Sequence, residues 1–328
     1  MPRLAMAITP ARLAEVCDEP TRALLNERFD VAWGSSDLDP NELRNLLAGA
    51  DVVVTSWGTP PLPTESLGAA VGGPRVVAHA AGSVKRLMEP AALERVDVFS
   101  AAPRIAATVG EYCLAVCLSL LRQLPEYDRV MRAGGWRADD VRGRELRGRR
   151  VSLIGASSTA RAFLRLLRPF DVDVCVYDPH LDQEASAALG VRLVSLEEAM
   201  TSEIVSVHVP AVPETEGMIS AELLALMPNG GVAINSSRAA AVDQDALVAE
   251  ALSGRLRVAV DVFDQEPSDL SEAVRTCPAI LLSPHIAGDS LEGHRDLTGF
   301  VVKDVLAFLV DGRRGPAWLD PLRWSVAA

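Results

Sequence analysis

Short apolar runs alternate along the chain with segments whose apolar residues recur at helical spacing. In the first hundred residues, apolar runs bounded by turn residues predict five buried strands, and residues 41–47, preceded by Pro40, predict a helix. The predicted strands cover residues 4–9, 31–33, 51–56, 75–80 and 96–100. Strands that alternate with loops and helices in this way predict a parallel sheet covered by helices.

The alternation continues after a long apolar segment, residues 108–121, that predicts a helix. Thr108, followed by Glu111 three residues on, has the spacing of a capping box, so we expect the helix to begin there. Further helices are predicted at 124–134, 161–168, 244–252 and 288–310, and further strands at 151–154, 172–177, 204–209, 232–235, 258–262 and 280–282. The second half of the chain therefore predicts another parallel sheet.

One stretch, residues 151–178, has the form of half a mononucleotide-binding βαβ unit. A dinucleotide fingerprint reads G-x-G-x-x-G/A, and an acidic residue ends the next strand. Here the three positions are Gly155, Ser157 and Ala160, and the acid is Asp178. Two of the three positions match. Taken alone, the stretch also fits an ordinary strand–turn–helix.

Composition limits the classes of function. A chain of 328 residues predicts two domains. The net charge is −12, so a surface that binds nucleic acid is not expected. The longest apolar run we identify, residues 112–121, is shorter than the about 20 residues of a membrane helix. The apolar region at residues 1–10 is too short for a signal peptide, so we expect none there. Five cysteines without a C-x-x-C pair indicate buried thiols rather than a metal site, and a reduced, cytoplasmic protein.

Three polar residues follow successive predicted strands of the second half. Arg238 comes after residues 232–235, Glu266 after the next strand, and His285 after the last. Each has another interpretation: a surface ion pair for Arg238, a turn residue for Glu266, and a hydrogen-bonded core group for His285. Ligands of open α/β sheets bind beyond the carboxyl ends of the strands, so the three together favour one active site beside the nucleotide turn.

The order of motifs along the chain resembles that of the D-isomer-specific 2-hydroxyacid dehydrogenases. The resembling segments are V-G-E-Y (109–112), G-x-S-x-x-A (155–160), Y-D-P (177–179), V-S-V-H-V-P (205–210), P-E-T-E-G-M-I (213–219), I-N-S-S-R (234–238), D-V-F-D-Q-E-P (261–267) and S-P-H-I-A-G (283–288). The resemblance implies a Rossmann-type, doubly wound nucleotide domain, residues 104–287, inserted into a smaller flavodoxin-like α/β substrate domain, residues 1–103 plus 288–328. It also implies a homodimer.

The resemblance also implies roles for individual residues. Arg238 would bind a small 2-keto acid, and His285, paired with Glu266, would act as general acid/base in hydride exchange with NAD(H). The cofactor-binding set is Gly155, Ser157, Ser158, Thr159, Asp178, His208, Val209, Pro210, Ser236 and Asp261, with Asp261 near the nicotinamide amide. Backbone groups at Ala81, Gly82 and Ser83 would hold the substrate carboxylate. No metal is expected.

Two residues of the nucleotide half bear on how the cofactor binds. Asp178 would repel a 2′-phosphate, which favours NAD(H) over NADP(H), whereas Ser157 in place of the middle glycine restricts close backbone approach.

A non-catalytic NAD-sensing protein of the corepressor type is the second hypothesis, and a formate dehydrogenase-like enzyme is the third, although Glu266 stands where that enzyme typically has Gln. Trp57, after a strand of the substrate domain, either lines the cleft or packs in the core.

Overall fold

A computed structural model describes residues 1–137 and 141–326. The chain forms two compact units, residues 1–105 with 289–328 and residues 106–288. The second unit is therefore inserted into the first, as the sequence predicts.

Apart from the short strand Arg192–Leu193, which the sequence does not predict, the twelve β-strands of the described residues lie close to the predicted apolar runs. They are β1 Arg3–Ala7, β2 Asp30–Trp33, β3 Val52–Thr55, β4 Val76–His79, β5 Asp97–Ser100, β6 Arg150–Ile154, β7 Asp173–Tyr177, β8 Arg192–Leu193, β9 Ile204–Val207, β10 Gly231–Asn235, β11 Leu256–Val260 and β12 Ile280–Leu282. Residues of β3, β4, β9 and β10 are buried throughout. A strand covered on both faces carries a continuous apolar run, which is why these strands are readable from the sequence.

The α-helices connect the strands. They are α1 Pro10–Val16, α2 Glu19–Arg28, α3 Pro40–Leu47, α4 Ala102–Leu121, α5 Leu124–Arg132, α6 Ser158–Leu167, α7 Gln183–Leu189, α8 Leu196–Met200, α9 Ala221–Leu224, α10 Gln244–Leu252, α11 Glu272–Thr276, α12 Leu291–Arg295 and α13 Leu297–Asp311.

The first unit contains a parallel five-stranded sheet in the order β2-β1-β3-β4-β5. This is the strand order of flavodoxin-like folds. Helix α13 packs on this sheet, and its buried residues Leu297, Val301 and Val305 belong to the same core as Leu4 and Val54. The C-terminal helix thus completes the domain that the N-terminal hundred residues begin.

The second unit contains a parallel seven-stranded sheet in the order β12-β11-β10-β9-β6-β7-β8. Numbered within the unit, this is the doubly wound order 3-2-1-4-5-6 with one further strand. The order reverses between β6 and β9, where residues 151–154 of β6 pair with residues 204–207 of β9. The predicted fold, a Rossmann-type domain inserted into a flavodoxin-like one, is confirmed.

Several predicted boundaries are wrong. Helix α4 begins at Ala102 rather than Thr108, because the Ser100 hydroxyl accepts from the Ala102 N–H (3.1 Å) and caps the helix earlier. The single helix predicted at 288–310 is two helices, divided at Asp296. Helices α1 and α2 were not predicted, although Thr9 and Asp18 are their N-caps and each helix has a proline in its first turn.

Helix α4 is longer than the apolar run at residues 112–121 that the sequence indicates. It has 20 residues and a mean hydropathy of 1.5 in its most apolar window, so by length and composition it alone among the described helices could cross a membrane. In that window, 44% of the residues are buried inside the protein, and the core helix of a folded domain passes the same test. One such helix is weak support for a membrane span.

Candidate active site

The turn after β6 requires a glycine at its first position. Gly155 has a φ of +97°, and its N–H donates to the Tyr177 carbonyl (2.7 Å). A Cβ atom at this position would lie 2.8 Å from the backbone oxygen of His208, which is closer than such contacts occur. Both the backbone conformation and the close approach of the segment that follows β9 therefore exclude a side chain here.

Ser157, which replaces the middle glycine of the fingerprint, is the N-cap of α6. Its Oγ lies 3.5 Å from the Ala160 nitrogen and 2.9 Å from Thr159 Oγ1, and Thr159 Oγ1 lies 3.1 Å from His208 Nδ1. His208 Nε2 in turn lies 2.9 Å from Ser206 Oγ. The serine thus belongs to a chain of polar side chains that braces the turn against β9.

The imidazole of His208 serves this brace. It is buried, both ring nitrogens have partners within the unit, and burial lowers its pKa to about 3, so the ring is neutral near pH 7. Of the three-residue segment expected to line the cofactor, Val209 is 8% exposed and Pro210 is partly exposed.

Asp178 stands at the end of β7, beside the same turn. Its Oδ2 accepts from the Ala156 N–H (2.7 Å), and its Oδ1 accepts from the His180 N–H (2.8 Å). Arg161 in the first helical turns donates from Nε to the Ala156 carbonyl (2.9 Å), which places a cation at the turn. Sequence reasoning missed Arg161, since a helical arginine carries no signal beyond its closeness to the fingerprint.

The residues around this turn fit a dinucleotide. The first turn of an α-helix has N–H groups without intrahelical partners and a positive dipole end, which suits a diphosphate. Ser158 in that turn is exposed, and Asp178 provides carboxylate oxygens where ribose hydroxyls would need acceptors.

A second group of residues follows β10, β11 and β12, which are adjacent in the sheet. His285 Nδ1 lies 2.8 Å from Glu266 Oε2, and Glu266 Oε1 accepts from the Phe263 N–H (3.0 Å). The carboxylate fixes the tautomer that carries the Nδ1 proton, which leaves Nε2 to exchange a proton. The His285 side chain is 52% exposed.

Several groups set the pKa of Glu266, and Arg238 is one of them. Partial burial raises the pKa of Glu266, but hydrogen bonds from His285 and the Phe263 N–H and the charges of His285 and Arg238 lower it further, so the net shift is downward. Arg238 follows β10, and its Nη1 donates to the Ser237 carbonyl (2.7 Å). The structure therefore places His285 against Glu266, and Arg238 lies near enough for its charge to lower the pKa of that carboxyl.

Two residues expected to touch the cofactor have hydrogen-bond partners within the protein. Asp261 is 0% exposed, and its carboxylate accepts from the Ser283 hydroxyl and from the N–H groups of Ile286 and Ala287. Ser236 Oγ lies 3.3 Å from Cys113 Sγ. Cys113 is itself buried, which raises the pKa of its thiol to about 11.

The predicted carboxylate-binding loop lies in the first unit, after β4. Ser100 Oγ donates to the carbonyl of Gly82 (2.6 Å) and is 3.2 Å from that of Ala81, while Ser83 Oγ accepts from the Lys85 N–H (3.4 Å). These bonds fix the backbone of the loop. Ala81 is fully buried.

Trp57, in the loop after β3, is not a buried core residue. It is 38% exposed, and its ring centroid lies 5.2 Å from that of His294. The Arg12 guanidinium is 5.8 Å from the indole centroid. The loop thus presents an aromatic surface beside a cation.

Residues 114–287, more than half of the chain, match the D-isomer specific 2-hydroxyacid dehydrogenase, NAD binding domain. D-3-phosphoglycerate dehydrogenase of Mycobacterium bovis is 28% identical over 314 residues, 95% of this chain and 58% of that protein. This chain spans about half the length of the curated relatives it matches.

Solved structures extend the similarity over both units. A phosphoglycerate oxidoreductase from Rhizobium etli has 25% identity and a TM-score of 0.82, with 97% of this chain and 98% of that chain covered. D-2-hydroxyisocaproate dehydrogenase, 20% identical, shares the fold with a TM-score of 0.76 over 97% and 99% of the two chains. The chain therefore belongs to the D-isomer-specific 2-hydroxyacid dehydrogenase family of NAD-dependent oxidoreductases.

Proposed function

We propose that this protein reduces a small 2-keto acid to the D-2-hydroxy acid with NADH, and catalyses the reverse reaction with NAD⁺. The observation that carries the proposal is the His285–Glu266 pair, joined at 2.8 Å, with Arg238 close enough to lower the pKa of the same carboxyl. An acid/base and a guanidinium side by side suit a substrate that has both a reacting oxygen and a carboxylate.

Each residue has a distinct task in the proposed reaction. Arg238 binds the substrate and polarises its C2 oxygen, since a guanidinium stays charged and offers two parallel N–H donors. His285 donates a proton from Nε2 to that oxygen in reduction and accepts it in oxidation, while Glu266 holds the ring and stabilises the imidazolium. Bound NADH supplies the hydride.

The direct test is turnover. NADH oxidation is followed at 340 nm with glyoxylate, pyruvate, hydroxypyruvate and bulkier 2-keto acids, and NAD⁺ reduction is followed with D-3-phosphoglycerate, the substrate in the names of the mycobacterial relatives. We expect saturable activity with at least one compound. NADH binding without turnover of any compound would favour the alternative, a non-catalytic NAD-sensing protein.

We also propose that NAD(H) is preferred over NADP(H), through Asp178. We expect Asp178→Ala to weaken NADH binding about 5- to 10-fold and to narrow the preference over NADPH, because the ribose acceptor and the charge that repels a 2′-phosphate are both removed. Dissociation constants from NADH and NADPH fluorescence titrations measure this.

Two variants control for indirect effects of that change. Asp178→Asn keeps an acceptor for the Ala156 N–H and removes only the charge, so it should narrow the preference without loosening the turn. Glu184→Ala removes an exposed acid from the neighbouring helix α7 and should leave both constants unchanged. A ratio of the NADH and NADPH dissociation constants unaltered in Asp178→Ala would show that Asp178 does not face the ribose.

Cytoplasmic location and a homodimer remain predictions.

A further inference from the structure

The segment that carries His285 has an unusual backbone conformation. His285 has a φ of +55°, in the left-handed region that side chains other than glycine seldom adopt. Such a conformation persists where the surrounding structure over-determines it. The direction of the imidazole therefore depends on what holds residues 283–287.

One buried carboxylate holds this segment on both sides of His285. Asp261 Oδ1 accepts from Ser283 Oγ (2.7 Å) and from the Ile286 N–H (2.8 Å), and Oδ2 accepts from the Ala287 N–H (2.9 Å). The His285 N–H donates to the Asp261 carbonyl (2.8 Å). Because Asp261 is 0% exposed, these bonds are made out of contact with water, where they are strongest.

Tyr112 of helix α4 extends the network. Its hydroxyl oxygen lies 2.5 Å from Ser283 Oγ. A carboxylate only accepts, so the Ser283 proton points to Asp261 and Tyr112 must donate to Ser283. Burial raises the pKa of Tyr112 to about 12, the hydrogen bond to Ser283 opposes this, and the charge of Asp261 adds to it. The phenol therefore keeps the proton that it donates.

We propose that Asp261, Ser283 and Tyr112 are positioning residues, which hold the strained segment so that the imidazole of His285 meets Glu266. The proposal rests on the proposed role of His285 in catalysis. It gives Asp261, which the resemblance places near the nicotinamide amide, a role in holding the segment of His285.

The experiment compares Ser283→Ala and Tyr112→Phe with the wild type by two measurements. Two-bond ¹⁵N–¹H correlation spectra report the histidine rings, and the His285 signals are those missing in His285→Gln. Kinetic assays give kcat and the NADH dissociation constant. Cys117→Ala is the control, because Cys117 is buried on the same helix, five residues from Tyr112, outside the network.

We expect the His285 ring signals to move or broaden in both variants and to be unchanged in Cys117→Ala. Turnover should fall about 10-fold in Ser283→Ala, since misplacement of a reacting group by about 1 Å can cost 10²-fold. The NADH dissociation constant should stay within about twofold. The double variant should lose no more turnover than the more impaired single variant, because both substitutions break the same chain of hydrogen bonds from Tyr112 through Ser283 to Asp261.

Ring signals that superimpose on those of the wild type in both variants would overturn the proposal. So would weakened NADH binding with turnover and ring signals intact, since the network would then serve the cofactor. If the wild type reduces no 2-keto acid, the proposed function fails, but the spectra still decide whether these residues position His285.

Discussion

His285→Gln should bind NADH as the wild type does and lose about 10²- to 10⁴-fold in kcat, because proton transfer by a positioned side chain contributes a factor of that size. Glutamine keeps a polar side chain of similar reach but has no group that titrates near neutral pH. The imidazole is the half-exposed member of its pair, so its replacement leaves the core intact. Steady-state kinetics with the best 2-keto acid, and fluorescence titration of NADH, measure the two effects.

Unfolding curves provide the control for that variant, since an unchanged midpoint shows that lost turnover is not lost structure. Glu266→Gln adds a graded comparison. It keeps a hydrogen-bond acceptor for His285 Nδ1 but loses the charge that stabilises the imidazolium, so we expect an intermediate loss of turnover. Activity of His285→Gln within about threefold of the wild type would refute the assignment of the general acid/base.

Gly155→Ala should lower the free energy of unfolding by about 2–4 kcal/mol and abolish measurable NADH binding. The new alanine would need a φ of +97°, and its Cβ would lie 2.8 Å from the His208 carbonyl oxygen, so the turn must move away from β9. That movement displaces the start of α6, whose N–H groups are the proposed site of the diphosphate. Urea unfolding and NADH titration measure the two losses.

Gly254→Ala separates the two causes. Gly254 also has a positive φ, +78°, but a Cβ there would meet nothing within 4 Å. This variant therefore has the cost of the backbone conformation alone, about 1 kcal/mol, and should bind NADH normally. Equal destabilisation by the two substitutions would show that the close approach to His208 is unimportant.

Most strands were predictable because each carries a continuous apolar run, and β3, β4, β9 and β10 are buried throughout. The predicted apolar run at 280–282 coincides with β12, and the one at 232–235 differs from β10 by one residue. Helix boundaries were less predictable, because caps that compete along the sequence are chosen by tertiary contacts. Thr108 and Glu111 have capping-box spacing, yet α4 begins six residues earlier at Ala102, whose N–H donates to the hydroxyl of Ser100 at the end of β5.

The environment of individual site residues was not predictable. The fingerprint marked Ser157 as a departure, but its link through Thr159 to the buried ring of His208 needs β9 to lie beside β6. In the same way, nothing in the D-V-F-D-Q-E-P motif shows that Asp261 points inward while Glu266 faces the imidazole.

The sequence by itself determined the two α/β sheets, the nucleotide turn at Gly155 and the positions of Arg238, Glu266 and His285 after successive strands, because burial and turn formation leave local patterns. Only the tertiary structure decided that β10, β11 and β12 are neighbours, which places His285 against Glu266 and the charge of Arg238 near that carboxylate. It also decided that Asp261 and Tyr112 lie beneath the segment that carries His285. The physical reason is that strand order and side-chain direction depend on packing between residues far apart in the chain, which no local pattern records.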